Sequence, residues 1–154
     1  RLLRPADLRG AWLDYAATDD QRTNELVSRT AGRRRIFTNV VDQKPLCSFI
    51  APAIVKRGQL TLAISTGGAS PTMAKRLRRE LAGTIGSDYA RMLRLLSGLR
   101  GVAKRRLPRY TDRKQYFDRL VQGRVFALVR AGKSSAARRE ALQLLMHASS
   151  TNGT

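Results

Sequence analysis

The sequence predicts an α/β protein: an incomplete α/β lobe, then a small β segment, then a helical lobe. Three observations predict it. A strand, a helix and a second strand follow one another within residues 11–42. Leu60, Leu62 and Ile64 alternate with Thr61, Ala63 and Ser65, the period of a half-buried strand. Beyond Gly86, apolar residues recur at three- and four-residue spacing, the period of a helix with one buried face.

The first strand, "AWLDYAATDD" (11–20), reads as buried and ends in small residues and an acidic cap. Asp14 interrupts its apolar run, so one face is expected to be incompletely buried. Asp19 or Asp20 caps the helix that follows, which carries Leu26 and Val27 and closes at "GRRR". "IFTNVVD" (36–42) is a second strand, rich in β-branched and aromatic residues. Such a unit belongs to a parallel sheet, which offers residues to ligands at the carboxyl ends of its strands. Thr18, Asp19 and Asp42 all fall at such ends. Each has a plainer role as well, capping a helix or a turn.

"CSFIAPAIVKRGQLTLAIST" (47–66) holds two or three short strands, broken by Pro52 and by a turn at Arg57–Gly58. Ser70 then caps a helix with Pro71 at its first position. Met73, Leu77 and Leu81 form its expected buried stripe, with Lys75, Arg76, Arg78 and Arg79 outside it. In the helical lobe, Tyr89, Met92, Leu96, Leu99 and Ala103 mark one helix, which Pro108 follows. Phe117, Leu120, Val121, Val125 and Leu128 mark shorter ones, with Gly123 as the break. Ser134 or Ser135 caps the last helix, with Ala141, Leu142, Leu145 and Met146 facing inward. "SSTNGT" (149–154) is expected to be a frayed tail.

No apolar run approaches a membrane span, and the opening "RLLRPADLRG" lacks the apolar core of a secretory signal. One cysteine, Cys47, excludes an internal disulfide, and one histidine, His147, excludes a His-rich metal cluster. The expected setting is a soluble protein of the reducing cytoplasm. Thirty basic residues against eleven acidic ones give a net charge of +19, which favours polyanionic partners. The arginines are spread along the whole chain, however. Arg33, Arg34, Arg35 and nearby Lys44 lack the aromatic interleaving of a nucleic-acid groove, so they read as solvated surface.

"STGGASP" (65–71) resembles a phosphate loop but fails both nucleotide patterns. No Lys-Ser or Lys-Thr follows the glycines, and the dinucleotide spacing G-x-G-x-x-G is missing. Glycines before a capped helix still leave backbone N–H groups to meet a carboxylate or phosphate. The alternative is a tight turn from strand to helix.

"AATDD" followed by Asn24, then "NVVD", "CSFIAPAIV", "LAISTGGASP" and "LRREL", stand in the order and spacing of one family. From about Trp12 to about Val129 the chain resembles the precorrin-2 dehydrogenase module of siroheme synthase, also found as a free-standing precorrin-2 dehydrogenase/sirohydrochlorin ferrochelatase. The resemblance is strongest over 36–81. It implies a Rossmann-like NAD-binding domain of which residues 1–43 are the C-terminal part. A dimerisation/β segment (44–83) with the strand-turn-helix and a helical domain (84–154) follow. The implied activity is NAD-dependent oxidation of precorrin-2 to sirohydrochlorin in siroheme biosynthesis; some family members also insert ferrous iron. The family's essential Asp falls on Asp42, to receive a proton or to organise the macrocycle. Ala17, Thr18 and Asn39 would lie near the cofactor. Ser65, Thr66, Gly67, Gly68 and Ser70 would line the tetrapyrrole cleft, and no metal-binding residue is implied. A homodimer is expected. The family grips the NAD pyrophosphate with a Gly-rich turn after a strand that would precede "RLLRPADLRG". The chain as given is therefore expected to bind NAD poorly and to be inactive alone. The competing readings are a basic nucleic-acid-binding protein and a non-catalytic dimerisation module.

Overall fold

The cap expected before the first helix is Asp20. Its carboxylate accepts the backbone N–H groups of Arg22 (3.1 Å) and Thr23 (3.2 Å), satisfying two of the donors that a helix start leaves free. Helix α1 (Gln21–Arg34) ends at Arg35, which adopts the left-handed conformation (φ 58°). The computed structural model describes residues 4–150. Strands β1 (Leu13–Ala16) and β2 (Phe37–Val40) pair in parallel, with Leu13 opposite Phe37 and Ala16 opposite Val40. Val27 and Ala31 of α1 bury against Ala16, Ile36 and Val40, and Leu8, from a short helical turn at Pro5–Leu8, completes this core.

The strand expected to be buried is buried on one face only. Ala16, Thr38 and Val40 point into the core, and Asp14 joins them on the inner side. Leu13, Tyr15 and Phe37 point outward and are exposed, as is the preceding Trp12. The polar interruption thus lies inside and the aromatic residues outside, the reverse of what the apolar run suggested. Period-two alternation fixes two faces but not which one the helix covers. Here Thr38 makes the inner placement of Asp14 possible, because its hydroxyl donates to the Asp14 carboxylate at 2.9 Å.

The β segment contains one hairpin, β3 (Ala53–Arg57) and β4 (Leu60–Ile64), joined by Gly58–Gln59. Leu60, Leu62 and Ile64 are half-buried while Thr61, Ala63 and Ser65 are exposed, as the alternation predicts. Helix α2 (Pro71–Thr84) starts with Ser70 accepting the Met73 N–H at 3.1 Å. Its expected stripe is displaced. Ala74 is the buried residue, Leu77 and Leu81 are half-buried, and Met73 is exposed. The chain divides into two compact units, the first up to Ile54 with Ala63–Arg79, the second Val55–Leu62 with the residues from Glu80 on. The 44–83 segment is divided between them.

The second unit is built on α3 (Ser87–Arg106), α4 (Tyr110–Gln122), α5 (Arg124–Arg130) and α6 (Ser134–Ser150). Met92, Leu99, Leu120, Val125, Ala141 and Leu145 meet in its core. Gly123 separates α4 from α5, since a Cβ there would lie 2.6 Å from the Arg119 carbonyl oxygen. Tyr116 is buried where Val121 was expected, and Val121 and Met146 are exposed. The last helix runs through Ser149 and Ser150, so the frayed tail does not begin there; residues 151–154 lie outside the described residues. No helix among the described residues is long and apolar enough to cross a membrane.

The Tyr116 hydroxyl donates to the Ala141 carbonyl oxygen at 3.0 Å, and burial pushes its phenol up to about 12 from 10.0. The unfolded chain therefore loses this proton first. Stability falls as pH rises from about 10 to about 12, by at most about 1.4 kcal/mol per pH unit, and this group contributes no pH dependence below that window. Tyr116→Phe is expected to cost about 1 kcal/mol at neutral pH through the lost hydrogen bond. It should also flatten the alkaline loss relative to the parent, as read by urea denaturation across pH 7–12.

Candidate functional site

Beyond Val40 the chain does not continue as a strand but turns back along β2. The Ser48 hydroxyl accepts the Thr38 N–H (2.8 Å), and the Ser48 N–H donates to the Thr38 carbonyl (2.8 Å). Two residues on, the Cys47 thiol accepts the Val40 N–H (3.2 Å) and donates to the Val40 carbonyl (3.2 Å). Side chains thus take the place of a neighbouring strand at this edge. The reversal needs a residue at positive φ, and Asp42 (φ 59°) supplies it; aspartate tolerates the left-handed region better than most residues. Asp42 is exposed at the head of the turn.

The turn closes one side of an open cavity of about 370 Å³. Asn39, Asp42, Lys44 and Cys47 contribute to one wall, and Gly68 and Pro71 to the other. Among the sequence-derived candidates, Asn39, Asp42 and Gly68 come together here. Asn39 is held by donating to the Phe49 carbonyl oxygen at 3.0 Å. The other candidates are not among the cavity's walls. Thr18 donates to Asn24 Oδ1 (2.7 Å), and its carbonyl accepts from Asn24 Nδ2 (2.9 Å), so it fastens the end of β1 to α1. Ala17 precedes it, exposed. The Ser65 hydroxyl accepts the Gly67 N–H (3.1 Å), the Thr66 hydroxyl accepts the Ser70 N–H (3.2 Å), and the Ser70 hydroxyl caps α2. The glycine turn is held by its own hydroxyls.

Arg33, Arg34, Arg35 and Lys44 are all exposed, as expected of solvated surface, but the stem of Lys44 also lies across Gly68. A Cβ on Gly68 would meet Lys44 Cδ and Cε at 3.1 Å. Gly68 (φ 77°) thus admits the lysine into the wall of the cavity, beside the Asp42 turn. Only the contact between two residues distant in sequence identifies it, and no local pattern carries that information.

The start of α1 does not fit a dinucleotide pyrophosphate. Phosphates bind helix starts through free N–H groups, and here the Asp20 carboxylate occupies those of Arg22 and Thr23 and brings its own negative charge. Hydrogen bonds from Thr23 and from these amides hold that carboxyl below the usual carboxylate range, so it stays ionised. Among the described residues no group of three or more His, Cys, Asp or Glu side chains is arranged to hold a metal ion.

Three family models match successive parts of the chain: NAD(P)-binding over residues 1–53, sirohaem biosynthesis protein central over 57–84, and sirohaem synthase dimerisation region over 88–145. Curated siroheme synthases are similar. That of Thioalkalivibrio sulfidiphilus is 40% identical over 133 residues, covering 86% of this chain and 27% of the relative. That of Methylobacillus flagellatus is 38% identical, covering 94% of this chain and 31% of the relative. The chain thus spans about three tenths of the length of these relatives. The solved structure of SirC, a precorrin-2 dehydrogenase, has the same fold, with a TM-score of 0.69 at 24% identity, over 96% of this chain and 69% of that one. The motif-based resemblance to the siroheme synthase family therefore holds along nearly the whole chain, as does the α/β fold with its helical lobe.

Two outcomes are expected. Gly67→Ala and Gly68→Ala each force a side chain into positive φ and should cost about 1–2 kcal/mol in chemical denaturation. Only Gly68→Ala displaces Lys44, because nothing lies within 4 Å of a Cβ at Gly67. Calorimetric titration with NAD should give no affinity tighter than about 1 mM; micromolar binding would contradict the reading of α1.

Proposed function

We propose that the chain is the substrate-facing part of a precorrin-2 dehydrogenase, acting in siroheme biosynthesis on a tetrapyrrole polycarboxylate. The observation that carries this is the joining of Asp42, Asn39 and Lys44 with the Gly68 turn around one open cavity, supported by the three family matches in the same order.

Oxidation of the dihydro-macrocycle removes a hydride and a proton. When bound, a nicotinamide cofactor would supply the hydride acceptor; the chain's own residues serve the proton and the positioning. Asp42 is an exposed carboxylate fixed by its turn at the cavity, suited to accept that proton or to orient the ring. The Lys44 ammonium offers a charge-assisted contact to a substrate carboxylate, and Asn39 and Cys47 hold the wall beside it. Ala17 and Thr18 keep their place in this reading as residues near the cofactor, and Ser65, Thr66, Gly67 and Ser70 as supports of the cleft. Iron insertion into the product is a further step open to the same cavity, with ferrous iron as substrate. The chain works as a homodimer in the cytoplasm, a reading supported by the dimerisation-region match over 88–145.

Titration with sirohydrochlorin, followed by its absorbance, tests the proposal. Saturable binding is expected, weakened about tenfold or more by Lys44→Ala. Asp42→Asn should keep sirohydrochlorin affinity within about threefold yet, made in a complete siroheme synthase that carries this segment, lower precorrin-2 oxidation by about a hundredfold or more. No sirohydrochlorin binding, together with steeply salt-dependent binding to DNA or RNA, would instead favour a nucleic-acid-binding role.

A further inference from the structure

Helices α3 and α4 leave between them a second open cleft, of about 430 Å³, within the range of small-ligand sites (about 300–1,000 Å³). Its composition follows from helical spacing. On α3, Leu96, Arg100 and Lys104 stand four residues apart and share a face; on α4, Tyr110, Arg113 and Phe117 share one at spacings of three and four. Leu96 and Phe117 pack on the core of the helical unit and form an apolar floor. Tyr110 stands above it, 72% exposed, a large aromatic ring with no burial to account for it.

The rim is cationic, and part of its charge is uncommitted. The one carboxylate among the lining residues, Asp118, is taken by Lys114 at 2.9 Å. Arg100 and Lys104 make no ion pair or hydrogen bond among the described residues. Arg113 uses one guanidinium nitrogen on the carbonyl oxygens of Leu107 and Pro108, which fixes its direction and leaves its other N–H groups for a ligand. An aromatic face, an apolar floor and three cations are complementary to a flat conjugated body carrying two or more negative groups. A second copy of the chain seated through this same face would bring like charges together.

We propose that this cleft binds a planar aromatic anion, its ring on Tyr110 and Phe117 and its carboxylates or phosphates on Arg100, Lys104 and Arg113. That chemistry has two sources, a mononucleotide and a porphyrin-type polycarboxylate. The site is separate from the Asp42 cavity and does not rest on the function assigned to it.

The test is fluorescence titration of the whole chain with anilinonaphthalene sulfonate, followed by competition with AMP, with uroporphyrin and with citrate. The sulfonate should bind, and one of the two aromatic anions should displace it, which identifies the source. Citrate, charged but not aromatic, should displace it at least tenfold less well. Arg100→Ser combined with Lys104→Ser, and separately Tyr110→Ala, should each weaken binding tenfold or more while leaving the circular dichroism spectrum unchanged. Lys44→Ala should leave this binding intact, which separates the site from the Asp42 cavity. Unchanged affinity in both rim variants would overturn the proposal, as would displacement by neither aromatic anion. So would competition by citrate as strong as theirs, or variants that shift the monomer–dimer balance in place of ligand affinity.

Discussion

The edge of β2 opposite β1 must find partners for its peptide groups, and how it does so determines the candidate site. An unpaired strand edge that is not open to water costs free energy at each N–H and C=O. Here the chain returns on itself, and Ser48 and Cys47 satisfy Thr38 and Val40 with a hydroxyl and a thiol. To return so soon after Val40 the backbone must reverse, and Asp42 takes the left-handed conformation at that reversal. Lys44 follows two residues later and is carried to Gly68. The carboxylate and the ammonium are thus positioned by one requirement, the closing of a strand edge, rather than by any contact between them.

A second constraint is the shortage of acids. With eleven acidic residues for thirty basic ones, most arginines cannot find a carboxylate. Several bind backbone carbonyls instead. Arg34 donates to Pro5, Arg57 to Ala82 and Ile85, Arg91 to Val129 and Arg113 to Leu107. Three of these follow one rule: Ala82, Ile85, Leu107 and Val129 lie in or just beyond the last turns of α2, α3 and α5, where carbonyls lack intrahelical partners and the helix dipole is negative. Part of the basic excess therefore serves helix ends. What remains uncommitted, as at Arg100 and Lys104, is what a ligand can use.

This division explains what could be read in the sequence. Helical and strand periods, the Asp20 and Ser70 caps, the Gly123 break and the cluster of family motifs are local, and each appears where its spacing placed it. The faces were less legible. Tyr15 and Phe37 look like core residues but face outward, because alternation marks two sides without saying which one α1 covers. Met73 gave way to Ala74 for a similar reason: a helix of small and apolar residues can rotate by one position and still bury a stripe. The contact of Lys44 with Gly68 was illegible for a stronger reason, since the glycine lies twenty-four residues away.

Asp14 and Asp42, both in the first unit, show why geometry, rather than perturbation, should choose the candidate acid. Asp14 is the perturbed one: burial raises its carboxyl above 3.8, the Thr38 hydroxyl only partly offsets this, and one carboxylate oxygen is buried without a partner among the described residues. Such a shift often marks a catalytic group. Yet Asp14 faces the inner side of the sheet with Thr38, and it is not among the walls of the cavity at the end of β2. Its raised affinity for a proton is the cost of placing a carboxylate inside the sheet. Asp42 stands at the cavity, in a backbone conformation that few side chains accept, with solvent and Lys44 as neighbours on the same wall. Under the proposed function the acid has to reach the ligand first, and of the two only Asp42 lines the cavity.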